Sequence, residues 1–326
     1  MTKPMALVLG ATGGIGGAVA RTLGARGWHV RAMHRTPEGR GDGLDWVRGD
    51  AMIAGDVARA AEGAALVVHA VNPPGYRNWQ KLVLPMLDNT VAAARGAGAA
   101  ILLPGTVYNY GPDALPLLSE ASPQHAVTRK GAIRVAMERR LAEAAERGTP
   151  ALVVRAGDFF GPRAGNHWFS QGLVKPGKPP RAITAPGAPG VGHQWAYLPD
   201  VAETMARLVE ARESQGFATF HMEGHWDADG TAMIAAIRRA VGDDLPVRRL
   251  PWGLMRLAGP VVPLFRELVE MRYLWERPVR MTNERLVAAI GAEPRTPLDV
   301  AVRETLAGVG CLPPQAADAE GRRALA

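Results

Sequence analysis

The sequence predicts an α/β fold, in which a doubly wound parallel sheet carries a smaller C-terminal lobe. Three observations favour this fold. Short apolar runs alternate with amphipathic segments through the first half of the chain, as strands alternate with helices in such sheets. A glycine-rich turn separates the first apolar run from the first amphipathic segment. In the second half the alternation breaks down, which predicts a separate lobe.

The first apolar run and the turn after it form a candidate dinucleotide-binding unit. Residues 4–10 (PMALVLG) are almost entirely apolar, as expected of a parallel strand that is buried on both faces. Gly10, Gly13 and Gly16 follow with the spacing G-x-x-G-x-x-G, and a helix ending near Gly27 comes next. Glycine allows a sharp turn and a close approach to a pyrophosphate, while the helix N-terminus offers N–H groups to the anion. The predicted cofactor-binding residues of this turn are Gly10, Thr12, Gly13, Gly14, Ile15 and Gly16.

The remaining elements of the first half follow in order. Predicted strands cover residues 28–35, 44–50, 64–71, 99–105 and 150–157, and predicted helices cover residues 52–63, 78–98 and 128–148. Strands that alternate with helices in this way form a parallel sheet with right-handed crossovers. We therefore expect a Rossmann-type dinucleotide-binding domain over residues 1–165.

The second half predicts a mixed substrate-binding lobe over residues 166–326. Residues 175–190 are rich in Pro and Gly, which predicts a surface loop near the ligand crevice. Predicted helices cover residues 198–213, 231–242, 262–276 and 283–291. The segment 190–215 is expected to return to the main sheet of the Rossmann domain before the strand-like run 217–224 leaves it.

Composition disfavours several classes of protein. With 47% hydrophobic and 21% charged residues, the chain lies in the globular range. The net charge of +7 comes from dispersed basic residues, which disfavours a nucleic-acid partner. The single cysteine, Cys311, allows no intramolecular disulfide, and the apolar N-terminal run is too short for a signal sequence or a membrane span. We expect a cytoplasmic protein with a small-molecule substrate and no nucleic-acid or membrane partner, and a homodimer is an open option.

The end of the second predicted strand indicates which dinucleotide binds. A protein that binds NAD usually has an acidic residue there for the 2′-hydroxyl of the ribose. This chain has His34 and Arg35 instead, and a cationic strand end accommodates the 2′-phosphate of NADP(H). NADP(H) is therefore the expected cofactor, with NAD(H) as the alternative.

Several short segments, taken in order, resemble the extended short-chain dehydrogenase/reductases. These segments are GATGGIG at 10–16, GD at 49–50, VYNYGP at 107–112, RAGDFFGPR at 155–163, WAYLPDVAE at 195–203 and GAEPRTPLDVAVRETL at 291–306. More narrowly, the chain is similar to their atypical branch, often called NAD-dependent epimerase/dehydratase-like. The resemblance implies NAD(P) in the Rossmann half, with Asp50 and Ala51 near the adenine and Ala70 and Val71 along the cofactor ribose. It also implies a sugar-nucleotide or small carbonyl substrate under the C-terminal lobe.

The catalytic residues of that family are a Ser or Thr, a Tyr and a Lys, and this chain keeps the first of them. Counting back four residues from Tyr110 gives Thr106. The family's tyrosine and lysine correspond to Lys130 and Arg134, in register with Glu138. An arginine can hold ribose hydroxyls, but it is always protonated and cannot donate and recover a proton at neutral pH. Loss of a positioned acid typically costs about 10²–10⁴ in rate.

Three residues are candidates for the missing proton donor. Lys130 qualifies if burial or the neighbouring Arg129 and Arg134 lower its pKa. Tyr108 and Tyr110 lie on the loop after the fifth strand, which faces the ligand crevice in a doubly wound sheet. Tyr108 is the more available of the two, since the resemblance implies that Tyr110 packs in the interior.

Other polar residues near the rim are interpreted as structural. Those on predicted loops, each read as a surface or hydrogen-bonded residue, are His125, Asp158 and His167. His221 and His225 are four residues apart, a spacing that suits a metal on a helix. The residues before them predict a strand, however, and Gly224 would interrupt a helix. We therefore expect no metal site.

Three functions remain open from the sequence. The leading hypothesis is an NADP(H)-dependent oxidoreductase of the atypical extended type, which acts on a small carbonyl or conjugated substrate with the altered Lys130/Arg134 pair. A nucleotide-sugar epimerase or dehydratase ranks lower, because its chemistry depends on the intact Tyr/Lys pair. The third is a non-catalytic NADP(H)-binding redox sensor. Aromatic residues near the crevice favour an enzyme over a sensor unless they pack against one another: Tyr76, Trp79, Trp168 and Phe169.

Overall fold

Strands and helices alternate along most of the chain in the computed structural model, which describes residues 3–40, 43–73, 78–163, 167–211 and 215–313. The strands are β1 (Met5–Leu9), β2 (His29–His34), β3 (Asp45–Arg48), β4 (Leu66–His69), β5 (Ala100–Thr106), β6 (Leu117–Leu118), β7 (Ala151–Ala156), β8 (Asp158–Phe160), β9 (Ile183–Ala185), β10 (His193–Tyr197), β11 (Phe217–His221), β12 (His225–Asp227), β13 (Val247–Arg249) and β14 (Arg280–Met281). The helices are α1 (Gly14–Ala25), α2 (Ala54–Ala61), α3 (Trp79–Ala97), α4 (Arg129–Glu146), α5 (Leu198–Glu210), α6 (Ala232–Val241), α7 (Trp252–Ala258), α8 (Pro263–Glu270), α9 (Glu284–Ile290) and α10 (Leu298–Gly308).

The central sheet has seven parallel strands in the order β3-β2-β1-β4-β5-β7-β11. Strand β1 pairs with β2 on one side and with β4 on the other, so the order of the strands reverses at β1. Such a reversal leaves a crevice beyond the carboxyl ends of the strands, where ligands of doubly wound sheets bind. This topology confirms the predicted Rossmann-type α/β fold.

Helices cover both faces of the sheet because its strands are apolar on both sides. Ala6 and Val8 of β1 join a core with α1 and α5, and Leu7 and Leu9 join a second core with α2, α3 and α4. All four side chains are at most 1% exposed. Burying one large apolar side chain contributes about 1.5–3 kcal/mol to the stability of the fold. The buried sheet is therefore a stable support for the loops at its carboxyl edge.

The C-terminal lobe consists of small sheets and helices around an aromatic core. Strands β8, β10 and β12 form one sheet, and the pairs β9–β13 and β6–β14 form two more. Trp168 and Trp275 are buried there with ring centroids 5.1 Å apart, and Phe169 stacks on Phe160 at 6.0 Å. These aromatic residues therefore pack against one another, and Tyr76 lies outside the described residues. None of the helices in the described ranges has both the length and the apolar character of a membrane span.

The structure differs from the sequence-based prediction in the C-terminal half. Residues 183–185 of the predicted loop form β9, because they pair with the distant strand β13. Strand β10 pairs with β8 and β12 rather than joining the main sheet, while α5 packs on α1. It is β11 that extends the main sheet, beside β7. The local sequence pattern does not specify partners so far along the chain, which is why these pairings were missed.

Candidate active site

The glycine turn packs its backbone directly against the end of β4. Gly10 has a φ of +90°, a conformation that favours glycine, and a Cβ there would lie 2.5 Å from the carbonyl oxygen of Ala70. A Cβ on Gly16 would lie 2.3 Å from the carbonyl oxygen of Gly10. A side chain at either position would push the turn away from the strand, so both glycines are required by the packing.

The N-terminus of α1, which follows this turn, is open to an anion. Gly13 caps the helix without a side-chain hydrogen bond, and the first turn contains no acidic residue. Thr12 and Gly13 are exposed, and Gly14 and Ile15 are half-buried. The first N–H groups of a helix have no acceptor within it, and the helix dipole favours a negative charge beside them. The predicted residues of this turn therefore fit the pyrophosphate of a dinucleotide.

Positive charge gathers at the carboxyl end of β2, where Arg35 is exposed. Arg40 places its guanidinium 4.8 Å from the ring centroid of Trp46 and its Nη2 3.4 Å from both ring nitrogens of His34. We call His34, Arg35 and Arg40 the β2 cation cluster. Sequence reasoning identified the first two and missed Arg40, although it follows the same strand in the run HRTPEGR.

Asp50 and Ala51 lie in the turn between β3 and α2, next to this cluster. The Gly49 N–H donates to the carbonyl oxygen of His34 at 3.1 Å, so the turn lies against the end of β2. The Asp50 carboxylate accepts a backbone N–H two residues later at 2.9 Å. The carbonyl oxygen of Ala51 accepts from Asn89 Nδ2 at 2.9 Å. These bonds hold the turn at the edge of the site, where the family resemblance places the adenine.

A crevice at the carboxyl ends of β4 and β5 brings several predicted site residues together. Its enclosed space is about 40 Å³. The predicted residues that line it are Ile15, Ala70, Val71, Thr106 and Arg134. His69, the last residue of β4, lines it as well and was not among the predicted residues.

Arg134 reaches this crevice from α4. The helix begins after Thr128, whose side chain accepts the Gly131 N–H at 2.9 Å. A Cβ on Gly131 would lie 2.2 Å from the carbonyl oxygen of Tyr108, so α4 starts tightly against the loop after β5. Arg134 is buried, donates from Nη1 to a backbone carbonyl of β5 at 3.4 Å, and lies 5.3 Å from the ring centroid of Trp79. A permanent positive charge therefore lines the crevice.

Thr106 is the last residue of β5 and presents a hydroxyl group to the crevice. Its Oγ1 accepts the Tyr108 N–H at 3.1 Å. A hydroxyl oxygen that accepts one bond can still donate its own hydrogen, so Thr106 is able to donate to an oxygen of a ligand in the crevice. Tyr108 is half-buried at the edge of the lobe core.

Lys130 lies outside the crevice lining and joins α4 to α8. Its Nζ is 2.6 Å from Glu267 Oε2 and 2.6 Å from Glu270 Oε2, and its side chain is 3% exposed. Glu270 also accepts the backbone N–H of Arg129 at 2.6 Å. Both ion pairs are with glutamates of α8, outside the crevice lining, so the ammonium is not placed beside a ligand bound there, as the predicted proton donor would have to be. The geometry thus supports a structural role for Lys130.

Tyr110 belongs to a buried polar network rather than to the crevice. Its hydroxyl oxygen accepts from Arg155 Nη1 at 2.6 Å and lies 2.8 Å from His221 Nε2. Arg155 also donates from Nε to Glu138 Oε1 at 3.0 Å. Burial raises the pKa of Tyr110 above its ordinary value, so the phenol stays protonated at neutral pH. We call Tyr110, Glu138, Arg155 and His221 the buried network.

The other polar residues predicted near the rim are enclosed by protein or paired. Asp158 Oδ2 lies 2.9 Å from His193 Nε2 in a buried pair. His125 Nδ1 lies 2.7 Å from the exposed carboxylate of Asp113, and His167 is buried in the lobe. The two histidines of HMEGH lie on separate strands. Within the described ranges, no group of three His, Cys, Asp or Glu residues is arranged to hold a metal ion.

Three buried histidines predict a loss of stability in mild acid. Burial, aided by nearby arginines, lowers the pKa of His69 and of His221 to about 3 and that of His225 to about 4. In an unfolded chain a histidine titrates near about 6.5. Below that pH the unfolded chain binds more protons than the folded one. The free energy of unfolding therefore falls as the pH falls, by at most about 1.4 kcal/mol per pH unit for each histidine.

This loss is measured by urea denaturation between pH 7.5 and 5.5, a window in which few carboxylates titrate. We expect full stability at the upper end and a steady decline toward the lower end. A His225→Asn variant should decline less steeply over the same window, because it lacks one of the three groups. Equal stability at both ends of the window would contradict the prediction.

Comparisons with known proteins agree with this fold. The model of the NAD dependent epimerase/dehydratase family matches residues 6–221. MoeE5, solved with UDP-glucuronic acid and NAD, has a TM-score of 0.71 at 17% identity, over 94% of this chain and 98% of that one. UDP-N-acetylglucosamine 4-epimerase from Bacillus cereus has a TM-score of 0.70 at 16% identity, over 93% and 95%. UDP-glucose 4-epimerase from Bifidobacterium longum, solved with NAD⁺ and UDP, has a TM-score of 0.70 at 14% identity, over 93% and 97%.

These comparisons differ in what they establish. None of the curated proteins matches the chain in sequence. The solved structures share less than a quarter of their residues with it, so their likeness establishes the fold alone. The family model spans more than half of the chain and includes the glycine turn, the end of β4, Thr106 and Arg134. On that match, and in agreement with the resemblance noted in the sequence, the chain belongs to the NAD dependent epimerase/dehydratase family.

Proposed function

We propose that the chain is a dinucleotide-dependent enzyme that acts at a hydroxyl-bearing carbon of a nucleoside-diphosphate sugar. The observation that carries the proposal is the shared crevice, in which the glycine turn meets Thr106 and Arg134 beyond the ends of the strands. Support for the substrate class comes from the structural neighbours, which include two UDP-sugar epimerases and a protein solved with a UDP sugar. The nucleotide-sugar hypothesis thus has more support than a small carbonyl substrate.

The side chains that line the crevice are able to stabilise negative charge on a substrate oxygen. A bound dinucleotide supplies a hydride acceptor or donor. Thr106 donates its hydroxyl hydrogen to the oxygen on the reacting carbon, and Arg134 stabilises the negative charge that develops there. Neither side chain exchanges a proton at neutral pH. Proton transfer is therefore assigned to Tyr108 or to water, since Lys130 and Tyr110 are engaged with buried partners elsewhere.

A second candidate is an NADP(H)-dependent reductase of a small carbonyl or conjugated substrate. The β2 cation cluster favours it, because the Arg40 guanidinium beside His34, together with the exposed Arg35, suits the 2′-phosphate that distinguishes NADP(H) from NAD(H). The β2 cation cluster follows β2, whereas the glycine turn follows β1. The proposed preference for NADP(H) therefore does not depend on which class of substrate the chain uses.

One pair of assays separates these candidates. The purified chain is incubated with NAD⁺ or NADP⁺ and a panel of UDP sugars, and in parallel with NADPH and a panel of carbonyl and enone compounds. A changed sugar with no net change in nicotinamide absorbance supports the first candidate. Stoichiometric consumption of NADPH supports the second. Dinucleotide binding without turnover in either assay would contradict both and support the redox sensor.

Replacing both Arg35 and Arg40 with Ser is expected to weaken NADPH binding by about tenfold to a hundredfold. The reason is the loss of two charge-assisted contacts with a phosphate, each of about 1 kcal/mol at an exposed site. NADH affinity should change little. The measurement is a fluorescence titration with both dinucleotides, and the matched control is Arg48→Ser, whose guanidinium pairs with Glu38. An equal loss for NADPH and NADH would contradict the role of the cluster.

A further inference from the structure

His69 lines the crevice, and one of its ring nitrogens is buried without a hydrogen-bond partner among the described residues. The residue is 1% exposed and ends β4. Its Nδ1 lies 2.8 Å from Thr90 Oγ1 on α3, whereas its Nε2 has no hydrogen-bond partner among the described residues. A buried polar atom without a partner costs about 1–3 kcal/mol, so an unpaired nitrogen at a ligand crevice calls for an explanation.

The Thr90 hydroxyl determines which nitrogen of His69 carries the hydrogen. Thr90 Oγ1 donates its own hydrogen to the carbonyl oxygen of Met86 at 3.0 Å. With that hydrogen engaged, the threonine oxygen can only accept from the imidazole. His69 Nδ1 is therefore the protonated nitrogen, and Nε2 carries a lone pair.

His69 is held in this neutral form throughout the physiological range. Burial, together with the positive charge of Arg134, lowers its pKa to about 3. At neutral pH the imidazole therefore neither carries charge nor releases a proton from Nε2. What remains is a fixed hydrogen-bond acceptor beside a fixed cation, in a crevice that both residues line.

We propose that His69 Nε2 accepts a hydrogen bond from a hydroxyl group of the bound ligand, while Arg134 donates to the neighbouring oxygen. An acceptor and a donor side by side are complementary to a vicinal diol, whose two hydroxyl groups supply one hydrogen and one lone pair. Two sources of a diol can reach this crevice: the nicotinamide ribose of the dinucleotide and the hexose of a nucleoside-diphosphate sugar. The inference rests on the proposed function, because both sources belong to it.

Two substitutions of His69 separate the role of Nε2 from that of Nδ1. His69→Asn keeps an amide near the position of Nδ1 for Thr90 but places nothing at the position of Nε2. His69→Gln extends a polar atom to the position of Nε2. The matched control is His225→Asn, since His225 is a buried histidine of the lobe that does not line the crevice. NADPH, NADH and UDP-glucose are titrated against each variant by calorimetry.

We expect His69→Asn to weaken binding of one probe about tenfold, which corresponds to one lost hydrogen bond of about 1.4 kcal/mol. His69→Gln should recover most of the loss, and His225→Asn should show none. Weakened dinucleotide binding assigns the hydroxyl to the ribose, and weakened UDP-glucose binding assigns it to the hexose. Unchanged affinity for all three probes in His69→Asn, with wild-type binding intact, would overturn the role of His69 alone. A wild-type chain that binds none of the probes would overturn the proposed function with it.

A measurement on the wild-type chain keeps the proposal open to refutation if the variants fail to fold. Nitrogen-15 NMR distinguishes a protonated ring nitrogen from one with a free lone pair. We expect His69 Nε2 to resonate as an unprotonated nitrogen and to shift toward the hydrogen-bonded range when the bound probe is added. A protonated Nε2, or a resonance that the probe leaves unchanged, would overturn the proposal.

Discussion

Replacing Arg155 with Met is expected to lower the free energy of unfolding by about 3–5 kcal/mol, the largest effect predicted for a single residue of this chain. The Arg155 side chain is 1% exposed and that of Glu138 is 6% exposed. Arg155 donates to Glu138 Oε1 at 3.0 Å and to the Tyr110 hydroxyl at 2.6 Å. Without the guanidinium, the Glu138 carboxylate stays buried with hydrogen bonds from the amides of Asn109 and Gln124 and without the charge that Arg155 supplies.

Urea denaturation at pH 7 measures this loss, and two further variants interpret it. Arg140→Met removes a guanidinium that pairs with Asp88 at the surface, where such pairs contribute at most about 1 kcal/mol. The double variant Arg155→Met/Glu138→Met removes both buried charges and should recover part of the loss. A loss for Arg155→Met no larger than that for Arg140→Met would show that the buried network does not stabilise the fold.

Replacing Thr106 with Val is expected to lower turnover about 10²–10³-fold in whichever reaction the two substrate panels identify. The change removes the hydrogen that the hydroxyl donates to the reacting oxygen, an interaction that is strongest when charge develops there. Valine has nearly the same shape as threonine, so the fold should remain intact. The lost bond from the Tyr108 N–H should cost about 1 kcal/mol of stability.

The matched control for this substitution is Thr149→Val. Thr149 is 1% exposed, and its hydroxyl has no hydrogen-bond partner among the described residues and lies outside the crevice. Turnover of this variant should equal that of the wild type. Steady-state kinetics combined with dinucleotide titration separate a loss of turnover from a loss of binding. If Thr106→Val kept full turnover, Thr106 would have no part in the reaction.

On helix α4, the role of each residue that departs from the family pattern depends on the groups that surround it. Lys130 and Arg134 are four residues apart and so share one face of the helix. Lys130 lies in the first turn beside α8, where two glutamates bind its ammonium, and Arg134 lies one turn further on, beside β5 and Trp79. The position that holds tyrosine in the family therefore ties the lobe to α4 here, while the position of the lysine still lines the crevice.

The glycine turn and the basic end of β2 could be located from the sequence because their signals are local. The turn Gly10–Gly16 joins adjacent elements, and the basic end of β2 is read directly from two consecutive residues. The remaining site residues depend on distant partners. His69 is a candidate site residue because of its contacts with Thr90 and Arg134. Tyr110 belongs to the buried network because its hydroxyl group contacts Arg155 and His221.

The sequence by itself determined the parallel sheet, the order of its elements along the chain and the place of the glycine turn. Apolar runs, helical periodicity and glycine spacing each depend on residues that are close along the chain, so they can be read without a structure. Only the tertiary structure decided which polar side chains pair with one another and which line the crevice. Lys130 pairs with Glu270 at a separation of 140 residues, and Tyr110 with His221 at a separation of 111. Whether a buried charge serves catalysis or packing depends on which groups surround it, and that is determined by the folding of distant segments onto one another.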